Sequence, residues 1–294
     1  MLDPIYLLQL LVNGLVLGLI YALIAAGLSL LFGVLEMINF AHGEFLMLGA
    51  YGMFFVLPLF GFSYFPALAV SVLLCSGIGL LLYEGFLSRI NRGEFERGIL
   101  ITMGLSMILL YGMQYVVTAT PRMVDTTFGF GGVSIGDIQV TWTRVAAAAL
   151  SLAAFALQYW CLTHTSFGRA MRAIAQNREA ALMVGIQPRK VARNAVMMAT
   201  ALCGLAGAAI APIQLVQPQM GQFLVFKAFA LVLIGGLGSI PGAVAAAVLL
   251  GVVENFVGGF FSIVWQEAVG FIVMIVALLL RPQGLFFRSG VRVG

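Results

Sequence analysis

Nine apolar stretches follow one another along a chain of 294 residues, at 5–35, 43–60, 64–87, 99–117, 143–163, 194–216, 222–238, 241–258 and 265–280. Most approach the roughly 20 residues that an α-helix needs to cross the hydrocarbon core of a bilayer. A backbone in lipid has to satisfy its own hydrogen bonds, and runs this long without strand-like alternation do so only as helices. Charged residues are 9% of the chain, against roughly a quarter in an ordinary soluble domain, so little is left to build a core outside the membrane. The sequence therefore predicts one all-α polytopic membrane domain over 1–294, with about eight or nine transmembrane helices. Residues Met1 to Pro4 carry no basic n-region, and the run from Ile5 outlasts a signal-peptide h-region, so the first segment is expected to be retained.

Basic residues set the orientation, because Lys and Arg in short loops stay on the cytoplasmic side. Three clusters stand out among them: Arg89, Arg92 and Arg97; Arg169, Arg172, Arg178, Arg189, Lys190 and Arg193; and Arg281, Arg288 and Arg292. Two apolar segments separate the first cluster from the second and four separate the second from the third, both even, as a common cytoplasmic side requires. The stretch from Thr118 to Thr141 then lies outside, open to a partner there. Three segments precede Arg89, which puts the N-terminus outside. If residues 43–60 instead dip in and return, the count becomes eight and the N-terminus moves inside. The net charge of +4 is thus topological, and nothing interleaves aromatic and basic residues in the manner of a nucleic-acid surface. Cys75, Cys161 and Cys203 lie far apart in apolar runs, where cysteine acts as a small hydrophobe, so no disulfide or metal site is expected.

Three polar features interrupt this pattern. The segment from Thr165 to Arg193 carries its own helix signals: Thr165 or Ser166 at the start, Gly185 suited to a left-handed position past the end, and Pro188 barring continuation. Phe167, Met171, Ile174, Ala181 and Leu182 recur near helical spacing, with Arg169, Arg172, Gln176, Asn177 and Glu179 on the remaining surface. So polar a helix belongs on the cytoplasmic face, against anionic lipid or a protein. The second feature, Asn39-Phe40-Ala41-His42-Gly43-Glu44, stands between two apolar runs behind Glu36. Ionisable groups at membrane depth cost about 2.5–3.5 kcal/mol on insertion scales and tend to face cavities or partners; an interfacial turn that reaches water is the simpler alternative. The third is Lys227 with Gly235, Gly236, Gly238 and Gly242 downstream and Glu254 beyond. The glycines permit sharp turns or close helix approach. Lys227 falls near the outer half of the membrane, where it has to reach water or pair with a carboxylate such as Glu254.

The pattern Gly168-Arg169-Ala170-Met171-Arg172-Ala173-Ile174, followed by Asn177, Ala180, Ala181, Gly185 and Ile186, resembles the cytoplasmic coupling loop of ABC importer permeases of the branched-chain amino-acid (Liv) type. The stretch Ile38 to Gly43 and the run from Lys227 through Gly242 to Glu254 resemble two further signatures of that family. The resemblance implies a coupling helix that docks on an ATPase subunit through Gly168, Arg169, Arg172, Ala173, Asn177, Glu179, Ala180 and Gly185. It also implies a translocation path bordered by Asn39, Ala41, His42, Gly43, Glu44, Lys227, Gly235, Gly236, Gly238 and Glu254. Its expected partners are two cytoplasmic ATPase subunits, a second related permease in a heterodimer, a periplasmic binding protein and membrane lipid. The expected location is the bacterial inner membrane, and the first-choice substrate is a branched-chain or other neutral amino acid. No Gly-x-x-x-x-Gly-Lys-Ser/Thr phosphate loop occurs, so no cofactor is expected on this chain and ATP would be hydrolysed by the partners. No Ser/His/Asp or Cys/His constellation suggests an enzyme. Related permeases carry urea or short amides, which stays an alternative, and an ion-coupled secondary transporter using Glu36, Glu44, Lys227 and Glu254 is the rival of a different class. Polar and glycine interruptions in the two halves of the chain, Asn39 to Glu44 and Gly235 to Gly242, hint at an internal duplication.

Overall fold

A computed structural model describes residues 4–35, 37–61, 63–90, 94–129 and 131–280. Its helices are α1 (Pro4–Leu35), α2 (His42–Val56), α3 (Tyr64–Gly85), α4 (Phe95–Val117), α5 (Trp142–His164), α6 (Ser166–Gln176), α7 (Arg178–Met183), α8 (Pro188–Ile210), α9 (Met220–Gly235), α10 (Ile240–Phe260) and α11 (Ile263–Leu280). A 3-10 turn, Leu57–Phe60, extends α2. Among the described residues, seven helices are long and apolar enough to cross a membrane, namely α1 to α5, α8 and α10, while α9 and α11 contribute shorter apolar helices. The protein is thus the all-α polytopic membrane protein expected from its hydropathy. The stretch between α4 and α5 adds what hydropathy did not signal, a small antiparallel hairpin of β1 (Gly132–Ile135) and β2 (Ile138–Thr141) in which Gly132 pairs with Thr141. Arg281, Arg288 and Arg292, along with Asp3, Glu36 and Arg92, lie outside the described residues.

The helices run between two distinguishable ends. At one end Gln9 of α1 exchanges hydrogen bonds with the backbone of Gln139 on β2, at 3.0 and 3.1 Å, and Arg144 at the start of α5 donates to Asn13 of α1. At the other, Leu87 and Ile90 beyond α3 share an apolar cluster with Val34 and Leu35 of α1 and with Phe167 and Met171 of α6. Arg89 and Arg97 therefore share one end with the second basic cluster, as parity demanded, and α1 begins at the opposite end, with the hairpin. Helix α2 runs outward to the short turn before α3, so residues 43–60 do not turn back to the end from which they start. By the positive-inside rule the α6 end is cytoplasmic and the hairpin end is outer.

Helix α1 is hydrophobic all round, as suits a helix covered by lipid or by other helices, and here the other helices cover it. From Val16 to Leu31 almost every side chain is buried, chiefly under α10, α8, α9 and α5. Gly14 and Gly18, four apart, let α10 approach so closely that a Cβ at either would stand 2.7 Å from a backbone Cα of Val252 or Val248. With lipid as solvent, such packing of small residues replaces the hydrophobic drive between helices.

A packing pattern recurs in α1–α4 and α8–α11. Helix α1 lies along α10 as α8 lies along α3, α2 packs on α3 as α9 packs on α10, and α2 meets α8 as α9 meets α1. The two sets run in opposite directions, α1 from the outer end inward and α8 from the inner end outward, an inverted repeat. At its centre Gly43 of α2 and Gly221 of α9 meet reciprocally: a Cβ on either would overlap the carbonyl of the other. The duplication hinted at by sequence is therefore present with a different correspondence. The break at residues 37–41 matches the irregular stretch 211–219 between α8 and α9, while Gly235 to Gly242 forms the α9–α10 joint and matches the α2–α3 joint around Gly61 and Ser63.

Candidate functional site

At the cytoplasmic end the predicted amphipathic helix is two helices. Thr165 caps α6, its Oγ1 accepting from the Gly168 N–H at 3.3 Å. Asn177 breaks the run with an extended backbone and caps α7, its Oδ1 accepting from the Ala180 N–H at 3.0 Å. Asparagine competes for backbone donors in this way, which favours it at caps over helix interiors. Gly185 ends α7 at φ 84°, while the Ile186 N–H reaches the Ala181 carbonyl at 3.0 Å and the Gly185 N–H the Leu182 carbonyl at 3.0 Å, a Schellman closure. Pro188 starts α8, at a position where its missing N–H is not needed.

Ile174, Ala181 and Val191 form the buried contact beneath this pair, flanked by Phe167, Met171, Ile186 and Val34. Arg169 donates to the His164 carbonyl at 3.3 Å and Arg172 to the Leu162 carbonyl, so both guanidinium groups cover the C-terminal carbonyls of α5 while staying exposed. Gly168 is buried because a Cβ there would overlap the Leu162 backbone. Ala173 is half-buried, and Asn177, Glu179, Ala180 and Gly185 are exposed. Leu182, expected on the apolar face, instead joins Met183 and Val184 in an exposed row, at 53, 88 and 76% accessibility. Three consecutive apolar residues left uncovered by the rest of the chain at the end of a capped helix are a surface for a partner or for lipid.

The other two features meet in the interior. Asn39 Oδ1 accepts from the Ala41 N–H at 3.1 Å, and its carbonyl accepts from the His42 N–H at 3.2 Å, which turns the chain into α2. His42 is buried with Nε2 3.2 Å from the Ile24 carbonyl, and Cys203 donates to the His42 carbonyl at 3.1 Å. Ile24 lies well inside α1, so α2 starts within the bundle and the turn does not reach the interface. Glu44 is fully buried; its Oε1 accepts from Ser106 of α4 at 2.9 Å, and no hydrogen-bond partner stands at Oε2 among the described residues.

Lys227 pairs with Glu254 as its chemistry required. Nζ lies 2.9 Å from Oε1 and 3.0 Å from Oε2, and the Tyr21 hydroxyl donates to Oε2 at 3.0 Å with the lysine 5.3 Å above its ring. Lys227 is 7% accessible and Glu254 is fully buried. The pair ties α9 to α10 and, through Tyr21, to α1. Gly235 and Gly242 are packed against each other at the α9–α10 joint, where Gly236 and Gly238 take φ of 91° and 78°. Within one chain, then, Asn39, Ala41, His42, Gly43, Glu44, Lys227, Gly235, Gly236 and Glu254 are buried between helices, and only Gly238 is exposed.

The profile of a family described as the permease component of the branched-chain amino acid transport system matches residues 10–278. The high-affinity branched-chain amino acid transport system permease protein BraD of Pseudomonas aeruginosa is 31% identical, the match covering 97% of each chain. The permease protein LivH of Escherichia coli K12 is 29% identical over 98% of this chain and 97% of its own. The permease protein LivM of the same organism is 27% identical over 92% of this chain and 68% of its own. No solved structure matches the chain significantly.

Proposed function

The chain belongs to the family of branched-chain amino acid transport permeases, and from that membership we propose that it forms one transmembrane half of a bacterial ABC importer in the inner membrane. It is a multi-pass permease. Two cytoplasmic ATPases supply the energy, a second permease completes the path, and a periplasmic protein delivers branched-chain or other neutral amino acids. The observation that carries the coupling role is the cytoplasmic helix pair, capped at both helices yet leaving Leu182, Met183 and Val184 uncovered by the rest of the chain. That row beside Glu179 and Ala180 suits a groove on an ATPase, while Arg169 and Arg172, anchored on the α5 carbonyls, carry displacement of the pair into α5. Escherichia coli has two differently named permeases of one system that both resemble this chain, which favours a heterodimer.

The buried polar layer is the part of the chain assigned to the translocation path. Helices α2 and α9 both start inside the bundle around Gly43 and Gly221, in the manner of the broken helices that line transport sites. The alternatives open from sequence, a urea or short-amide permease and an ion-coupled carrier, draw no support from the relatives named above.

The test is a mild-detergent pull-down of the tagged chain, with mass spectrometry and ATPase assay of what co-purifies. ATPase subunits and a second permease are expected; a well-folded chain that purifies alone under several conditions would favour the secondary carrier. Met183→Asp should reduce ATPase recovery sharply, since a charge in a desolvated contact costs about 2 kcal/mol or more. Unchanged recovery would move the docking surface elsewhere.

A further inference from the structure

A second constellation takes in Asn255, next to Glu254, and otherwise residues that the sequence did not single out. Near the outer end a cavity of about 180 Å³ opens between α1, α5, α10, α11 and the stretch after α8. Its floor is aliphatic, with Leu17 and Ile20 of α1 and Ile213 facing it, and polar groups gather around that floor: Arg144, Asn255 and Gln266. Arg144 is half-buried in the first turn of α5, and among the described residues it bonds to Asn13 and pairs with no carboxylate. A half-buried guanidinium with no carboxylate beside it keeps its planar fork of donors for an anion. Asn255 spends its amide N–H on the Gly251 carbonyl at 3.3 Å, which leaves its carbonyl oxygen to accept, and the Gln266 side chain has no protein hydrogen bond among the described residues.

We propose that this cavity is an outer docking site for a free aliphatic amino acid. Arg144 takes the carboxylate in its planar fork, the amide oxygens of Asn255 and Gln266 take the ammonium group, and the side chain lies on Leu17, Ile20 and Ile213. Size agrees with the chemistry. A cavity of roughly 150 Å³ holds a six-membered ring, so this one suits a molecule of about eight or nine non-hydrogen atoms and excludes the acyl chains of a phospholipid. A lipid phosphate at Arg144 is the competing source of negative charge. The inference rests on the transport reading: the site would receive substrate as the binding protein releases it and hold it above the buried polar layer.

The experiment uses the complete membrane complex in nanodiscs, with radiolabelled leucine as probe, first without the binding protein for equilibrium binding and then with it for ATP-driven uptake in liposomes. Saturable leucine binding is expected, displaced by valine and left in place by leucine methyl ester, which lacks the carboxylate, or by glycerol phosphate. Arg144→Met should weaken binding at least tenfold and Arg144→Lys less. Ile213→Trp, which fills the cavity from an irregular stretch and leaves the helices intact, should abolish binding while the ATPase subunits still co-purify. Displacement by glycerol phosphate would assign Arg144 to lipid and overturn the site, as would absent binding, or unchanged binding and uptake in both Arg144→Met and Ile213→Trp. Failure of the wild-type complex to import leucine would instead sink the transport reading, so the two failures are separable.

Discussion

The helices α1–α4 and α8–α11 share one packing plan in opposite directions, yet they bury charge differently. The first set holds Glu44, a lone carboxyl group served by the Ser106 hydroxyl. The second holds Lys227 and Glu254 as a pair, completed by Tyr21 from the first set. The breaks differ too: residues 37–41 turn through Asn39 in a few residues, whereas 211–219 includes Pro212 and Pro218 and is held at the outer face by Val216, which exchanges two 2.8 Å backbone hydrogen bonds with Arg122. The architecture thus tolerates unlike chemistry at equivalent depth provided the backbone contact at its centre is kept. Geometry is common to both sets and electrostatics is specific to each.

If that is right, the largest effect should come from the centre. Gly43→Val and Gly221→Val each drive a side chain into the other helix's carbonyl, where no flexible group can give way. Both should abolish recovery of folded complex, and to a similar degree because the contact is reciprocal. Size-exclusion profiles of the purified variants would check this, and a well-behaved Gly221→Val protein would break the proposed equivalence.

Next in size is the charge pair. Removing one partner leaves a buried ion unpaired, at a cost of about 3–5 kcal/mol, whereas replacing both with apolar groups of similar volume is often neutral or stabilising. Glu254→Leu should therefore lower the thermal midpoint well below that of Lys227→Met/Glu254→Leu, as read by detergent melts. Uptake by the double variant then sharpens the assignment. Stable protein without transport would keep these charges on the path, and wild-type transport would reduce them to a clamp between α9, α10 and α1.

What was readable in the sequence follows the same division between local and distant causes. Spans, sides and caps come from hydropathy, basic clusters and residues such as Thr165 and Gly185, all local properties. The Lys227–Glu254 pair was readable despite a separation of 27 residues, because a lysine at membrane depth has few ways to be satisfied. Asn177 carried a readable signal, its capping preference, that the amphipathic spacing around it masked. The meeting of Gly43 with Gly221 had no local signature, since a glycine announces permitted closeness and not the partner. The outer cavity was equally hidden, being assembled from four helices and an irregular stretch, although Arg144, a basic residue on the outer side against the positive-inside trend, was a signal that could have pointed to it.

A smaller effect is expected at Glu44. Glu44→Gln keeps a carbonyl oxygen for Ser106, so the change should stay near the 1 kcal/mol typical of one hydrogen bond, and the melt should shift far less than for Glu254→Leu. A shift as large as that of Glu254→Leu would mean that the first set also relies on its charge, and the contrast between the sets would collapse.

The smallest effect should be where the two sets are joined in water. Arg189 at the start of α8 meets Glu84 at the end of α3 at 2.6 Å, with side chains 67 and 38% exposed. Exposed pairs contribute about 0–1 kcal/mol, since solvent screens the attraction and two long side chains lose freedom. The Tyr83 hydroxyl also donates to the Arg189 backbone carbonyl at 3.0 Å, a bond that survives truncation of the arginine. Arg189→Ala should accordingly leave the melting midpoint almost unchanged at physiological salt and show its small deficit only at low ionic strength, where the Debye length grows. A large loss at high salt would mean that the sets are pinned together at this surface joint and not by the glycine contact within the membrane.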